Sequence, residues 1–122
     1  MNRSAINIVV LISGNGSNLQ AIIEYLAQAD SPARIVRVIS DRPNAYGLER
    51  AQAAGIQTEV IDHQAYTNRT DFDRALADRL QALNPAIIVL AGFMRILSAA
   101  LVEWFRGRMI NIHSSLLPAY RG

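Results

Sequence analysis

The chain contains no cysteine. That excludes disulfides, thiolate nucleophiles and zinc–thiolate sites. It contains no lysine either: all 12 basic residues are arginines, set against 10 acidic ones for a net charge of +2. These arginines form no run or stripe, so the electrostatic footprint of a nucleic-acid binder is missing. The longest apolar run, Ala86 to Ala91, falls far short of the roughly 20 residues needed to span a bilayer. The N-terminus lacks the basic, apolar and small-residue succession of a secretory signal. With two histidines, no cysteine and no carboxylate pair at ligand spacing, no metal site is expected. Repeats, low-complexity tracts and linkers are absent as well. At 122 residues the expectation is one domain with one hydrophobic core, cytoplasmic, without a membrane or nucleic-acid partner.

What is present is an alternation of strands and helices. Ile6 to Ile12 is an apolar run rich in β-branched residues, the pattern of a strand covered on both faces. Ser13-Gly14-Asn15-Gly16-Ser17-Asn18 follows as a tight turn, and Leu19, Ile22, Ile23 and Leu26 then recur at helical spacing. Ser17 and Gln20 have the spacing of a capping box, which predicts a helix start at Ser17. Further strands are predicted over 33–40, 57–61 (near a sheet edge), 86–91 and 109–112. Helices are predicted over 45–54, closed by Gly55, from about Thr70 with Asp73 as its capping partner to Asn84-Pro85, and from a Ser98 cap through Phe105. Strand–helix alternation of this kind predicts an α/β, Rossmann-like fold: a mostly parallel sheet with helices on both faces.

Ligands of such folds sit beyond the C-terminal ends of the strands, near the point where strand order reverses. Three segments fall at strand ends. The first is Gly14–Asn18, a glycine loop leading into a helix N-terminus, where free backbone N–H groups and the helix dipole suit an anion. It lacks the third glycine of the dinucleotide fingerprint and the Gly-Lys-Ser/Thr of a P-loop. Spacing alone leaves phosphate binding and a plain βα turn equally open. The second is Gly92–Leu97, in which Met94, Ile96 and Leu97 surround Arg95; this suits either core packing or the lining of an apolar ring system. The third is Asn111 and His113. Residues i and i+2 of a strand share a face, with Cα atoms roughly 6.6 Å apart. An amide donor beside a titratable ring can polarise a carbonyl and move a proton. Arg69 reads as a helix-entry charge, His63 as a solvated loop residue, and Trp104 and Phe105 as packing residues.

Three stretches carry a resemblance over nearly the whole chain: Ile8 to Ile22 with its Ser-Gly-Asn-Gly-Ser-Asn loop, Val89 to Leu97, and Asn111-Ile112-His113-x-Ser115-Leu116-Leu117-Pro118. They resemble the folate-dependent formyltransferases, and the glycine loop resembles their glycinamide ribonucleotide branch. The resemblance implies transfer of a formyl group from 10-formyltetrahydrofolate, as co-substrate, to the amine of glycinamide ribonucleotide in purine biosynthesis. It implies that Gly16, Ser17 and Asn18 hold the substrate phosphate, and that Arg69, Met94, Arg95, Ile96, Leu97 and Asn111 meet the folate. Asn111 and His113 would be two members of a catalytic trio. Residues 1–122 correspond to the N-terminal part of the family domain. The third member of the trio, an Asp, lies beyond the position of Gly122, and Ser114 stands where the family usually has proline. The alternatives are a noncatalytic phosphate- or nucleotide-binding module, or another formyltetrahydrofolate enzyme such as a hydrolase or the methionyl-tRNA formyltransferase. The Ser13–Asn18 loop argues against both of the latter, and the lack of a basic surface signature argues against tRNA.

Overall fold

The structure, a computed structural model, describes residues 5–112. Among these residues five strands, β1 (Ile6–Ile12), β2 (Ala33–Ser40), β3 (Thr58–Val60), β4 (Ile87–Ala91) and β5 (Met109–Ile112), alternate with four α-helices, α1 (Ser17–Gln28), α2 (Tyr46–Ala53), α3 (Arg69–Leu83) and α4 (Ala99–Trp104). The strands form one sheet in the order β3-β2-β1-β4-β5, and every neighbouring pair is parallel. Among the described residues the sheet is thus parallel throughout, in keeping with the expected α/β fold.

The strand order explains where the helices go. The chain steps outward from β1 to β2 and β3, then crosses back over β1 to β4 and steps the other way to β5. Right-handed crossovers in opposite directions put their helices on opposite faces. Leu19 of α1 and Leu48 and Ala51 of α2 accordingly pack with Ile8, Val10 and Ile12. Phe72, Leu76 and Leu80 of α3, with Leu101 of α4 and Phe105, pack with Val9 and Leu11. This is why Ile8 to Ile12 shows no polar alternation: both faces of that stretch are core. Val9, Val10, Leu11 and Ile12 have no solvent exposure at all. Full burial of such a side chain contributes about 1.5–3 kcal/mol, so the end of β1, from which Ser13 follows, is firmly anchored.

One irregularity lies in β2. Ile8 faces Ile35 but Val9 faces Arg37, so Val36 is an extra residue in the ladder. Beyond this bulge the Arg37 guanidinium donates to Glu59 of β3 (2.8 Å), and Glu59 also accepts from Arg79 of α3. The hydrogen bond and charge of Glu59 raise the Arg79 pKa above its ordinary value. Edge strand β3 is thereby tied to both neighbours.

Local signals differ from expectation at two helix starts. Ser17 is the first residue of α1, not its cap: the cap is Gly16, with φ +80°, and no side chain among the described residues caps the helix. The Gln20 side chain turns to Glu24 instead. In α3 the cap is Asn68, whose side chain accepts from the Asp71 N–H at 2.9 Å. Asp73, expected as a capping partner of Thr70, is buried and accepts the Ser98 N–H at 2.7 Å, joining α3 to α4. Ser98 caps α4 as expected, accepting from the Leu101 N–H. Phe105 is core, but Trp104 is not, with 59% exposure. No helix among the described residues is long and apolar enough to cross a membrane.

Candidate functional site

Strand order reverses between β1 and β4, and the loops after these two strands face each other. Between them is a cleft of about 340 Å³, lined on one side by Ser13 to Asn18 and on the other by Ala91, Gly92 and Met94, with Arg42 at its edge. The cleft thus brings together the predicted Gly16, Ser17, Asn18 and Met94. Among the described residues no carboxylate lines it, and the cation that does is Arg42. With no side chain capping α1, the first-turn amides of the helix are available to an anion.

The glycine loop is shaped from behind by α2. Gly16 sits back to back with Gly47: a Cβ on Gly16 would lie 2.6 Å from the Gly47 Cα, and a Cβ on Gly47 would lie 2.5 Å from Cδ1 of Ile12. The Gly47 N–H donates to the Gly14 carbonyl at 3.0 Å. Arg50 donates to both the carbonyl and the side chain of Asn15, at 2.7 and 2.8 Å. The loop therefore has a fixed shape before any ligand arrives, which a bare glycine count does not reveal.

The loop after β4 is tied to the loop after β1 by the Met94 N–H, which donates to the buried Ser13 hydroxyl at 2.7 Å. Beyond it, Met94 and Ile96 are 66% and 72% exposed, so neither is core. Leu97, half-buried, packs against the α3–α4 side. Arg95 lines a second hollow of about 170 Å³ together with His63, Tyr66, Phe72 and Arg69. Two predicted residues, Arg69 and Arg95, thus share this hollow although they come from different elements.

His63 is not the isolated solvated residue expected. It is half-buried in a 3₁₀ turn (His63–Ala65), and its Nδ1 lies 3.3 Å from an Arg95 nitrogen. Asp41, at the end of β2, is 1% exposed and lies 3.6 Å from Arg95 Nε. Sequence reading passed over Asp41, Ser13 and Arg42. Their one available signal was position, since all three follow or end strands at the C-terminal edge of the sheet.

Asn111 lies on β5, in register with Leu90 of β4. Met109, two residues before it, packs on the α3–α4 side, which assigns Asn111 to that face. Asn111 is exposed and lines neither of the two hollows described above. His113 and Ser114 lie outside the described residues. Among the described residues no group of three or more His, Asp or Glu could hold a metal ion.

The sequence profile of the family described as "Formyl transferase" matches residues 6–122. The chain is 50% identical to the phosphoribosylglycinamide formyltransferase of Escherichia coli strain K12 over 116 residues, which cover 95% of the chain and 55% of that protein. It is 49% identical to the human trifunctional purine biosynthetic protein adenosine-3, over 94% of the chain and 11% of that protein. The fold superimposes on the phosphoribosylglycinamide formyltransferase of Coxiella burnetii with a TM-score of 0.86 and 52% identity, covering 98% of the chain and 56% of that structure. The chain thus spans about half the length of the bacterial relatives it matches. By profile, identity and fold together, the chain belongs to the formyl transferase family.

Proposed function

We propose that the chain takes part in transfer of a formyl group from 10-formyltetrahydrofolate to the amine of glycinamide ribonucleotide, as the N-terminal portion (residues 1–122) of one formyltransferase domain. The observation that carries this reading is the cleft at the switch point, without a carboxylate among the described residues that line it, where Gly16, Ser17 and Asn18 face Met94. The names of the relatives, phosphoribosylglycinamide formyltransferase among them, agree with it. In this reading the substrate phosphate rests on the amides of Gly16, Ser17 and Asn18. The folate lies along Met94, Arg95, Ile96 and Leu97, with Arg69 and Asn111 as further contacts. Both ligands are small molecules met in the cytoplasm, and neither a metal nor a nucleic acid takes part.

The chemistry follows from where charge develops. The substrate amine attacks the formyl carbon and a tetrahedral oxyanion forms. The Asn111 amide and a protonated His113 donate hydrogen bonds to that oxyanion. As the intermediate collapses, the bond from the formyl carbon to the folate nitrogen breaks, His113 gives its proton to that departing nitrogen, and the ring then takes up the proton released by the former amine. Keeping the ring protonated calls for a nearby carboxylate, the role that the resemblance assigns to an Asp beyond Gly122.

The test is a formyl-transfer assay with glycinamide ribonucleotide and 10-formyltetrahydrofolate. A polypeptide carrying this sequence within a whole family domain is expected to turn over, and Asn111→Ala is expected to slow it by about 10²-fold or more. The 122-residue chain alone is expected to bind ligands with very low turnover. No transfer by the whole domain, with tight phosphate binding indifferent to His113→Ala, would replace this reading with a noncatalytic binding module.

A further inference from the structure

We propose that Asp41 and His63 are positioning residues that clamp Arg95 across the ends of three strands and so set the Gly92–Leu97 loop for its folate; the folate part rests on the function proposed above. Asp41 is 1% exposed, yet neither of its carboxylate oxygens has a hydrogen-bond partner among the described residues. A buried carboxylate in that condition is costly unless something compensates it. Its counter-charge is Arg95, whose Nε lies 3.6 Å from Oδ2 and also has no hydrogen bond among the described residues.

The fold itself does not need this charge. The Asp41 backbone already ties its neighbours together: its N–H donates to the Ile12 carbonyl, and its carbonyl accepts the His63 N–H at 3.1 Å. The side chain is surplus to those strand contacts. His63 supplies the second half of the clamp through Nδ1, 3.3 Å from the Arg95 terminal nitrogen. A guanidinium has no acceptor, so this ring nitrogen must accept, which places the ring proton on Nε2.

One side chain from the loop after β4 thereby reaches residues following β2 and β3. The loop is fixed near its start by the Met94 N–H on Ser13, and at its end by the Ser98 N–H on Asp73. Arg95, between them, is held through Asp41 and His63. Its side chain stays 39% exposed, so part of the guanidinium is still open to the hollow it shares with Arg69. Asp41 lines neither hollow, so its effect on a ligand passes through Arg95.

The experiment uses the 122-residue chain and Asp41→Asn, which keeps the shape and removes the charge. The first readout is solvent exchange of the Arg95 Nε–H by NMR. It is expected to be slow in the unaltered chain and faster by about tenfold or more in Asp41→Asn, the change that 1.4 kcal/mol of lost restraint produces. His63→Ala, at a half-buried site, gives an independent variant and is expected to shift it in the same direction. The second readout is affinity for 5-formyltetrahydrofolate against affinity for inorganic phosphate. Asp41→Asn is expected to weaken the folate by about tenfold while leaving phosphate unchanged, and to have no further effect in an Arg95→Met background. Arg95 exchange that is unmoved in both variants would overturn the clamp. Parallel loss of phosphate and folate affinity would overturn it too, as a general structural effect. No folate binding by the unaltered chain would overturn the folate role of the clamp, whatever Arg95 does, while the proposed function itself stands or falls by formyl transfer in the whole domain.

Discussion

The loops after β1 and β4 face each other across one cleft, but they are held in shape by opposite means. The β1 loop is fixed mainly by backbone: Gly16 against Gly47, the Gly47 N–H on the Gly14 carbonyl, and the αL cap of α1, with the Arg50 side chain on Asn15 as an added side-chain tie. The β4 loop is fixed by side chains, with Ser13 on the Met94 N–H and Asp41 and His63 around Arg95, while Met94 and Ile96 project into solvent. A site made of backbone tolerates changes of its polar side chains but not of its glycines. A site made of side chains is the reverse: it can be altered residue by residue without unfolding the chain. A phosphate asks only for converging N–H groups, which backbone provides. A ring system asks for apolar surface and a few directed polar groups, which side chains provide.

The sharpest break in this comparison is Gly16→Ala. The new Cβ would meet backbone 2.6 Å away at a residue with φ +80°, and neither atom can swing aside. Urea denaturation is expected to show a loss of about 2–4 kcal/mol, together with loss of phosphate binding. Gly14→Ala is the control in the same loop. Its Cβ would meet nothing within 4 Å, and a change within about 0.5 kcal/mol is expected. Equal costs at Gly14 and Gly16 would mean that contact with α2 does not shape this loop.

Ser13→Ala probes the seam between the two loops. It removes the acceptor of the Met94 N–H (2.7 Å) at a residue that is 1% exposed. A loss of about 1–2 kcal/mol is expected, with weaker folate binding and a smaller change in phosphate affinity. Asn68→Ala comes next. It removes the side-chain cap of α3, beside Arg69 and away from the glycine loop. About 1 kcal/mol of stability is expected to be lost, with phosphate affinity unchanged. If phosphate affinity falls as much as folate affinity in either variant, the two sides of the cleft are one cooperative unit and not two differently built ones.

How much of this could be read from the chain depends on how local each cause is. β1 and β4 were legible because burial on both faces leaves an unbroken apolar run. The start of α1 was legible within a residue, but its cap was not. The reason Gly16 is glycine lies in Gly47, on another helix, and only the folded packing of α1 against α2 brings the two together. The same applies to α3, where Thr70 and Asp73 imitate a capping pair while Asp73 serves Ser98 across the domain. At the site, the glycines and Met94 were recognisable in their own segments. The partners of Arg95 were not: Asp41 and His63 stand in separate loops, and strand order alone puts them beside it. His63 read as solvated because nothing near it in sequence explains it. Asn111 was placed correctly on β5, and its pairing with His113 falls outside the described residues.

The smallest expected effect on stability is the most informative about the β4 side. Met94 and Ile96 are large apolar residues with 66% and 72% exposure, so packing supplies little reason for either. Truncating a core methionine or isoleucine costs about 2–5 kcal/mol; truncating an exposed one changes stability within about 0.5 kcal/mol. Met94→Ala and Ile96→Ala are therefore expected to leave the urea midpoint nearly unmoved. If these side chains wait for a ring system, each is expected to weaken folate affinity by about threefold to thirtyfold, from roughly 25 cal/mol per Å² of apolar surface that the ligand would otherwise cover. Calorimetric titration with 5-formyltetrahydrofolate, beside a phosphate titration of the same variants, separates the two quantities. Folate affinity that stays level in both variants would mean that the exposed apolar surface of this loop is not a ligand platform, and the side-chain half of the comparison would lose its function while keeping its structure.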